Sequence, residues 1–459
     1  MTNSVVNSSH RKDAYSLNPH LVNQILTSVA FNDKKQLLNL IKLLHVADLA
    51  DILEQISRNE RKNLIALWGD GIDGEVLSEL EEGVRDDVLL DLPSKILSKS
   101  IRHLETDKIV YLLEGLNRLS QEKVLHSVES SLRRSVEHAL MYDEDSAGRL
   151  MQCELVTAPQ HWTVGDTIDL LRSRDNLPSS FYNVIVVSPN FHPIGLVQLG
   201  RLLAAKRNVK LVDLLDKRMR TISVEQKQED VAYAFNQYHM VSAAVVDLDG
   251  RLVGTITIDD AMEILEEEAE QGMKKLVGIG DEELSDNIVN IVKTRFPWLL
   301  ANLFTAIIAS LVIAQFASTI EALVAVAVLM PIIASMGGNS GTQTLTVAVR
   351  AIATRDLTRS NSGRVMVREL SVGVINGFLF AIIMGVVGYI WYDSIGLGTV
   401  LALAMIFNLI IAGLSGILVP IGLHKFGADP AIASGVFLTT VTDIVGFGVT
   451  LALATTFLL

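Results

Sequence analysis

The pattern of apolar and polar positions changes character twice along this chain. From residue 20 to about 140, leucine and isoleucine recur at three- and four-residue spacing, as in DKKQLLNLIKLLHVADLADILEQI, which predicts amphipathic helices. HLETDKIVYLLEGLNRLSQEKV repeats that pattern about 59 residues later, with helices starting near Asp48 and Asp107. The stretch reads as stacked helical hairpins, an all-α superhelical domain. From Asp143 to about Glu270 the period shortens to that of strands. Two strand-turn-strand-helix units follow, NVIVVSPNFHPIGLVQLGRLL and SAAVVDLDGRLVGTITIDDAMEIL, with Gly195 and Gly254 lying 59 residues apart. An amphipathic helix precedes each of them, TVGDTIDLLRS and QEDVAYAFNQY. Beyond Phe296 five apolar stretches appear: Phe296 to Ile320, Ala322 to Val349, Leu370 to Tyr392, Ser394 to Leu423 and Pro430 to Leu459. Each is long enough to cross a hydrocarbon core of about 30 Å, which takes about 20 helical residues. The expected organisation is a disordered tail (1–19), the helical domain (20–140), the tandem α/β pair (141–270), a connecting helix (271–295) and a membrane domain of five helices (296–459).

Five spans place the two chain ends on opposite faces of the membrane. The N-terminal stretch MTNSVVNSSHRKDAY has no apolar core and hence no secretory signal, so the N-terminal domains are expected in the cytoplasm. The loop between spans two and three, RAIATRDLTRSNSGRVMVRE, then falls inside and holds five arginines. His424 and Lys425 fall inside as well, whereas the turns at Glu321 and Asp393 carry no Lys or Arg. Every loop obeys the positive-inside rule, which predicts a multi-pass protein of the cell membrane with its C-terminus outside.

Composition sharpens this division. Of 459 residues, 49% are hydrophobic and 20% charged, but from Phe296 onward only six acidic and six basic residues occur. The whole formal charge of −13 therefore sits in residues 1–295, which excludes an ordinary soluble enzyme. An acidic surface suits cations and speaks against a nucleic-acid partner, because phosphate binding needs a basic face. The single cysteine, Cys153, excludes a disulfide framework or a thiolate metal cluster and fits a reducing compartment. No GxSxG, HExxH or GxxxxGK[ST] pattern is present in the first half, so catalysis is not expected.

Several membrane positions are not ones that lipid rewards. Span two reads PIIASMGGNSGTQTLTVAV; its glycines fit close helix packing, but Asn339 and Gln343, four residues apart on one face, fit a polar pathway. Asp443 lies 14 residues beyond Asp429, about 21 Å along a helix and more than halfway across the bilayer. A carboxylate at that depth costs several kcal/mol unless it meets a cation, a proton or water. No Lys or Arg lies in a span to pair with it. It is either a protonated acid bonded to Thr439 or Thr442, or a cation or proton site in a pore, with Thr439 on the same lining. Asp429 reads either as a second ligand or as the N-cap of a helix with Pro430 first. Before the first span, DDAMEILEEEAEQG carries seven acids, of which Asp260, Glu263 and Glu267 share a face. The run is either a solvated connector or a sensor for a hard divalent cation, Mg²⁺ or Ca²⁺, which favours oxygen ligands.

The two strand-turn-strand units resemble a pair of CBS domains, many of which bind adenine nucleotides through a Gly-x-x-Thr-x-x-Asp pattern. Gly254, Thr257 and Asp260 match it, but the first copy has Gly195, Gln198 and Arg201, so ATP binding is doubtful. The chain as a whole resembles the MgtE family of magnesium channels. LMYDEDSAGRLM is similar to the family's Tyr-x-x-x-Ser/Thr-Ala-Gly-x-x-Met junction (Tyr142, Ser146, Ala147, Gly148, Met151), RFPWLLANL to its entry to span one, and GGNSGTQ and DPAIASG…TTVTD to its pore helices. The resemblance implies a multi-domain membrane protein: an all-α superhelical N domain, an α/β tandem CBS pair and an α-helical five-span domain. It implies a homodimer with a pore between protomers, Asp443 as the pore acid that holds hydrated Mg²⁺, and Asp429 as the acid at the cytoplasmic gate. It implies Asp260, Glu263, Glu268 and Glu229 as sensor ligands, so that Mg²⁺ is both substrate and regulatory ligand. Lys227, His239 and Gln271 stand where the family often has acids, which implies fewer or weaker sensor sites. The expected activity is passive Mg²⁺ uptake that closes as cytosolic Mg²⁺ rises. The rivals are an exchanger coupled to H⁺ or Na⁺, a carrier whose main cargo is Co²⁺ or Mn²⁺, and a tethered nucleotide sensor without transport.

Overall fold

The computed structural model describes residues 17–114, 116–174, 177–178, 180–279, 288–358 and 360–459. It forms two compact units, a first ending at Glu266 and a second from Glu267 to Leu459. Residues 1–16 of the expected tail lie outside the described residues; within the tail's remaining span, Asn18 caps a helix that starts at Pro19.

The first unit begins with ten α-helices among the described residues between Pro19 and Ala139. Local chemistry sets their starts: at Arg58–Trp68, Ser57 and Glu60 satisfy each other's backbone N–H groups in a capping box. Their apolar stripes meet in one core containing Ile52, Leu53, Leu77, Ile109 and Leu113. The guanidinium of Arg85 is enclosed beside that core and stays tolerable there because it stacks 4.3 Å over the Tyr111 ring and faces Glu82 and Asp86.

The tandem pair follows in the same unit. Strands β1 (Thr157–Pro159), β2 (Asn183–Val187) and β3 (Pro193–Gln198) form one sheet; β4 (Thr221–Ser223), β5 (Ser242–Val246) and β6 (Leu252–Thr257) form the other. In each, the first strand runs parallel to the second and the second antiparallel to the third. The register shifts at the same place in both, Val186/Val187 and Val245/Val246. Asn183 Nδ2 donates to Ser242 Oγ at 2.8 Å, joining equivalent positions of the two copies across their pseudo-twofold.

The Tyr142-to-Met151 junction has a packing explanation. A Cβ on Gly148 would lie 2.6 Å from the Tyr142 ring, and one on Gly254 would meet Met151 at 2.5 Å, so both glycines are required by close approach. Arg149, nearly enclosed, pairs with Glu114 at 2.8 Å, and Glu154 accepts from Thr106 Oγ1 at 2.7 Å. These contacts fix the helical domain to the tandem pair.

A helix from Ile258 to Leu276 carries the boundary between the two units. The expected connecting helix starts at 271, but the helix runs through that position unbroken because EEEAEQGMKK contains no proline and its Gly272 keeps a right-handed backbone. It ends at Leu276, followed by Gly278 with φ +72°, a left-handed residue that stops a helix. Residues 280–287 of the expected connector lie outside the described residues.

The five long helices of the second unit are Ile288–Ala314, Val324–Ala353, Ser362–Tyr392, Ile395–Lys425 and Pro430–Leu458, called spans one to five below. All five are long and apolar enough to cross a membrane. Two begin earlier than their apolar runs, at Ile288 rather than Phe296 and at Ser362 rather than Leu370, so a polar turn or two projects from the apolar zone. The first apolar stretch is divided: its helix stops at Ala314 and a short helix, Ala317–Ala322, follows. Twenty-seven residues already extend about 40 Å, and Thr319 in the short helix is buried against Thr455 of span five, hydroxyl to hydroxyl at 2.8 Å. Spans three and four touch backbone to backbone; a Cβ on Gly398 would lie 2.6 Å from the Gly385 carbonyl oxygen, the close approach that small residues permit.

Candidate functional site: polar side chains on two membrane helices and facing acids in the first unit

Spans two and five pack against each other, and both carry polar side chains on surfaces left open in the single chain. On span two these are Asn339, Thr342, Gln343 and Thr346, all exposed; on span five Thr439 is exposed and Asp443 half-buried. Thr342, Thr346 and Thr439 line one cavity of about 430 Å³ with Met273, Leu276, Trp298 and Asn302. The hydroxyl neighbours of Asp443 are committed elsewhere. Thr439 Oγ1 donates to Gly435 O at 3.0 Å, and Thr442 Oγ1 donates to Leu438 O and Thr439 O, both at 3.1 Å. Asp443 makes no hydrogen bond or ion pair among the described residues, so the reading in which Thr439 or Thr442 satisfies it finds no contact.

Of the readings of Asp429, the structure shows the N-cap, together with a lysine contact. Oδ1 accepts from the Ala431 N–H at 2.8 Å, an N-cap with Pro430 as the first helical residue, while Oδ2 lies 3.6 Å from Lys275 Nζ.

The polar face is held from behind by a buried amide that sequence reasoning did not single out. Asn408 of span four is fully buried and donates to the Ile333 carbonyl at 2.6 Å, while its Oδ1 is enclosed without a partner. Gly337 makes room for it: a Cβ there would lie 2.2 Å from Asn408 Nδ2. The available signal was a lone amide in the otherwise apolar run AMIFNLIIAG.

In the first unit, Asp260 caps the long helix that begins at Ile258. Its Oδ2 accepts from Thr257 N–H at 3.0 Å and Thr257 Oγ1 at 2.8 Å, so the Thr257–Asp260 pair of the nucleotide pattern is engaged with itself. Burial pushes the Asp260 carboxyl up to about 6, against the lowering effect of those two bonds. Facing it is Asp107 of the helical domain, also missed by sequence reasoning as a site residue. Burial first, and then the charges of Asp260 and Glu105, raise Asp107 well above the usual carboxylate range. Asp107 Oδ1 is enclosed without a hydrogen-bond partner, and Oδ2 accepts weakly from Gln152 Nε2 at 3.4 Å. Two partly buried acids that face each other repel when both ionise, and an oxygen-only pair with an orphaned lone pair suits a hard cation. Burial first, and in part the charge of Glu263, raise the Tyr111 phenol of the helical domain to about 12.

The structure does not bring the other expected sensor acids into one cluster. Glu229 sits exposed in the first turn of the helix Gln228–Tyr238, while Glu263 and Glu268 are on the Ile258–Leu276 helix. Among the described residues of the single chain, no group of three or more His, Cys, Asp or Glu is arranged to hold a metal ion. Part of the acidic run is balanced along its own helix: Glu270 pairs with Lys274 at 2.9 Å and Glu267 accepts from Gln271 at 3.3 Å.

Five apolar helices with polar side chains exposed on two of them, in a chain that also carries a helical domain and an α/β pair, define a membrane transport protein. Comparison with known proteins agrees. A family model described as a divalent cation transporter matches residues 330–453, one for the MgtE intracellular N domain matches 44–145, and one for the CBS domain matches 211–267. The magnesium transporter MgtE of Bacillus subtilis is 30% identical over 413 residues, 90% of this chain and 91% of that one. Its counterpart in Enterococcus faecalis is 32% identical, covering 67% of this chain and 68% of that protein. Among solved structures, the cytosolic domain of the Mg²⁺ channel MgtE in complex with ATP superposes with a TM-score of 0.50 at 24% identity, over 53% of this chain and 99% of that one; the likeness shows the fold. The chain belongs to the MgtE family of magnesium transporters. It is a membrane-embedded protein with a helical N domain, a CBS pair and a five-span domain, and Mg²⁺ transport is its activity class.

Proposed function

We propose that the protein is a passive, Mg²⁺-gated Mg²⁺ channel that acts as a homodimer, with its N-terminal domains in the cytoplasm and its C-terminus on the opposite side. The observation that carries this reading is Asp443: a carboxylate deep in span five whose hydroxyl neighbours are bonded to their own helix, with Thr439 exposed one turn before it and Asn339 and Gln343 exposed on span two, which packs against span five. Such a group at membrane depth needs a cation or water. Two copies facing each other across a twofold would supply two carboxylates to a hydrated ion. Mg²⁺ keeps its waters reluctantly lost and takes oxygen ligands, so Asp443 and backbone carbonyls would hold it through those waters. Asp429, at the helix entry, is the second acid on the path.

Closure follows from the acidic face of the soluble domains. Asp107 and Asp260, which face each other, and the separate acids Glu263, Glu268 and Glu229 are the donors we assign to regulatory Mg²⁺. At low cytosolic Mg²⁺ their repulsion opens the packing of these domains and lets the helices that end at Leu276 separate. Regulatory Mg²⁺ supplies the positive charge that removes this repulsion, and the equilibrium moves toward a closed state by differential binding. Nucleotide is not part of this reading, because Thr257 and Asp260 satisfy each other.

The test is Mg²⁺ flux into proteoliposomes holding the purified protein, beside Asp443→Ala, with Mg²⁺ on the soluble-domain side varied. The reading expects wild-type flux to fall as that Mg²⁺ rises and the variant to lose flux. Undiminished flux in Asp443→Ala would remove the pore assignment, and flux that requires a proton or Na⁺ gradient would favour the exchanger.

A further inference from the structure

In the second unit the last turn of the helix Ile258–Leu276 is fixed to the entry of span five by contacts of three kinds. The first is electrostatic: Lys275 Nζ lies 3.6 Å from Asp429 Oδ2, while the neighbouring Lys274 turns back along its own helix to Glu270. The two lysines are thus divided between helix and pore mouth. The second is apolar: Leu276 packs against a cluster formed by Leu345 and Val349 of span two and Ala431 and Leu438 of span five. The third is steric. Gly278, left-handed at φ +72°, lies under the ring of Trp298 in span one, so close that any Cβ would overlap the indole. The same ring reaches toward Gly435 of span five.

The carboxylate that Lys275 meets is also pre-aimed. The Ala431 N–H holds Oδ1 at 2.8 Å, which turns Oδ2 outward toward the connecting helix. An ammonium at that oxygen stands where a cation entering or leaving the path would be received. We propose that Lys275 is a tethered counter-cation, holding the place at Asp429 that permeating Mg²⁺ takes when the connecting helix moves away, and so favouring the closed state. The inference rests on the proposed role of Asp429 on the ion path, and it adds an electrostatic component to closure that the acidic sensor alone does not supply. The pair is partly exposed, a third or more on each side, so its contribution to the closed state is modest.

The experiment uses full-length protein in proteoliposomes, with Mg²⁺ flux recorded against Mg²⁺ on the soluble-domain side. Lys275→Met and Lys275→Gln remove the charge and keep length; Lys275→Arg keeps it. The proposal expects the Mg²⁺ concentration for half-closure to rise about two- to five-fold in Met and Gln, the span of an exposed ion pair, and to stay within about two-fold of wild type in Arg. It also expects raised monovalent salt to move wild type further than the Met variant, because screening weakens the Lys275–Asp429 pair in addition to the sensor charges that both share. Half-closure unchanged in both neutral variants, or a shift of equal size in Arg, overturns the latch while leaving Mg²⁺ gating intact. Wild-type flux with no dependence on Mg²⁺ at that side removes the gating reading itself and the latch with it.

Discussion

Replacing Asp107 with asparagine tests whether the interface between the helical domain and the CBS pair is built around repelling acids. Asp260 is raised by about two units, from 3.8 to about 6, with burial as the main cause. Each unit corresponds to about 1.4 kcal/mol, so ionising Asp260 alone opposes folding by about 2–3 kcal/mol at neutral pH, and Asp107, raised by burial and then by the Asp260 charge, adds to that cost. A group whose folded pKa lies above its unfolded value binds more protons when folded, so stability falls as pH rises between the two values. In the absence of Mg²⁺ the soluble segment, residues 1–279, should therefore be less stable at pH 7.5 than at pH 5. Asp107→Asn removes one of the facing charges and keeps the shape, with the amide able to donate to Asp260. At about 2–4 °C per kcal/mol for a segment of this size, each kcal/mol that the buried Asp107 charge costs should appear as a rise of about 2–4 °C in the midpoint of thermal unfolding in chelator at pH 7.5. The loss of stability between pH 5 and 7.5 should flatten. Added Mg²⁺ should stabilise wild type more at pH 7.5 than at pH 5, because protons and metal compete for the same oxygens, and it should stabilise the variant less. A lower midpoint for Asp107→Asn in chelator, with wild-type pH dependence retained, would refute the reasoning.

Three further outcomes follow from contacts elsewhere. Gly337→Ala places a methyl 2.2 Å from Asn408 Nδ2 and should cost about 1–3 kcal/mol in the detergent-solubilised protein; pairing it with Asn408→Ala should recover part of that loss, a non-additivity readable from unfolding midpoints. Arg149→Met leaves the solvent-reached Glu114 without its partner and should destabilise the soluble segment by about 1 kcal/mol, measured by urea unfolding at constant m-value. Cys153 should resist alkylation at pH 8 in the folded protein and react once unfolded, because burial pushes its thiol up to about 11.

Much of the architecture was legible because periodicity reports burial. The 59-residue spacing of Gly195 and Gly254 maps onto strands with the same order, register shift and cross-copy bond, and the long apolar runs became five long helices. Helix ends were less legible. The break at Ala314 depends on Thr319 meeting Thr455, a contact 136 residues apart that no local pattern encodes. The same limit applies to the site. Asp443, Asn339 and Gln343 stand out because a polar residue in an apolar run is anomalous in itself. Asp107, in a helical domain already rich in acids, becomes unusual only when folding sets it against Asp260 and closes water out. Lys275, in a lysine pair that balances an acidic helix, gains its meaning from Asp429, a residue more than 150 positions away in the chain. Charge content is local information; charge pairing is tertiary.

The most direct measurement of the central claim is the reversal potential of current through the reconstituted protein under a Mg²⁺ gradient, with proton and Na⁺ gradients imposed independently. A passive Mg²⁺ pathway predicts a reversal potential that moves by about 30 mV for each tenfold change in the Mg²⁺ ratio, as for any two-charge equilibrium, with no response to the other gradients. A reversal potential that follows the proton or Na⁺ gradient, or that ignores Mg²⁺, would contradict the account.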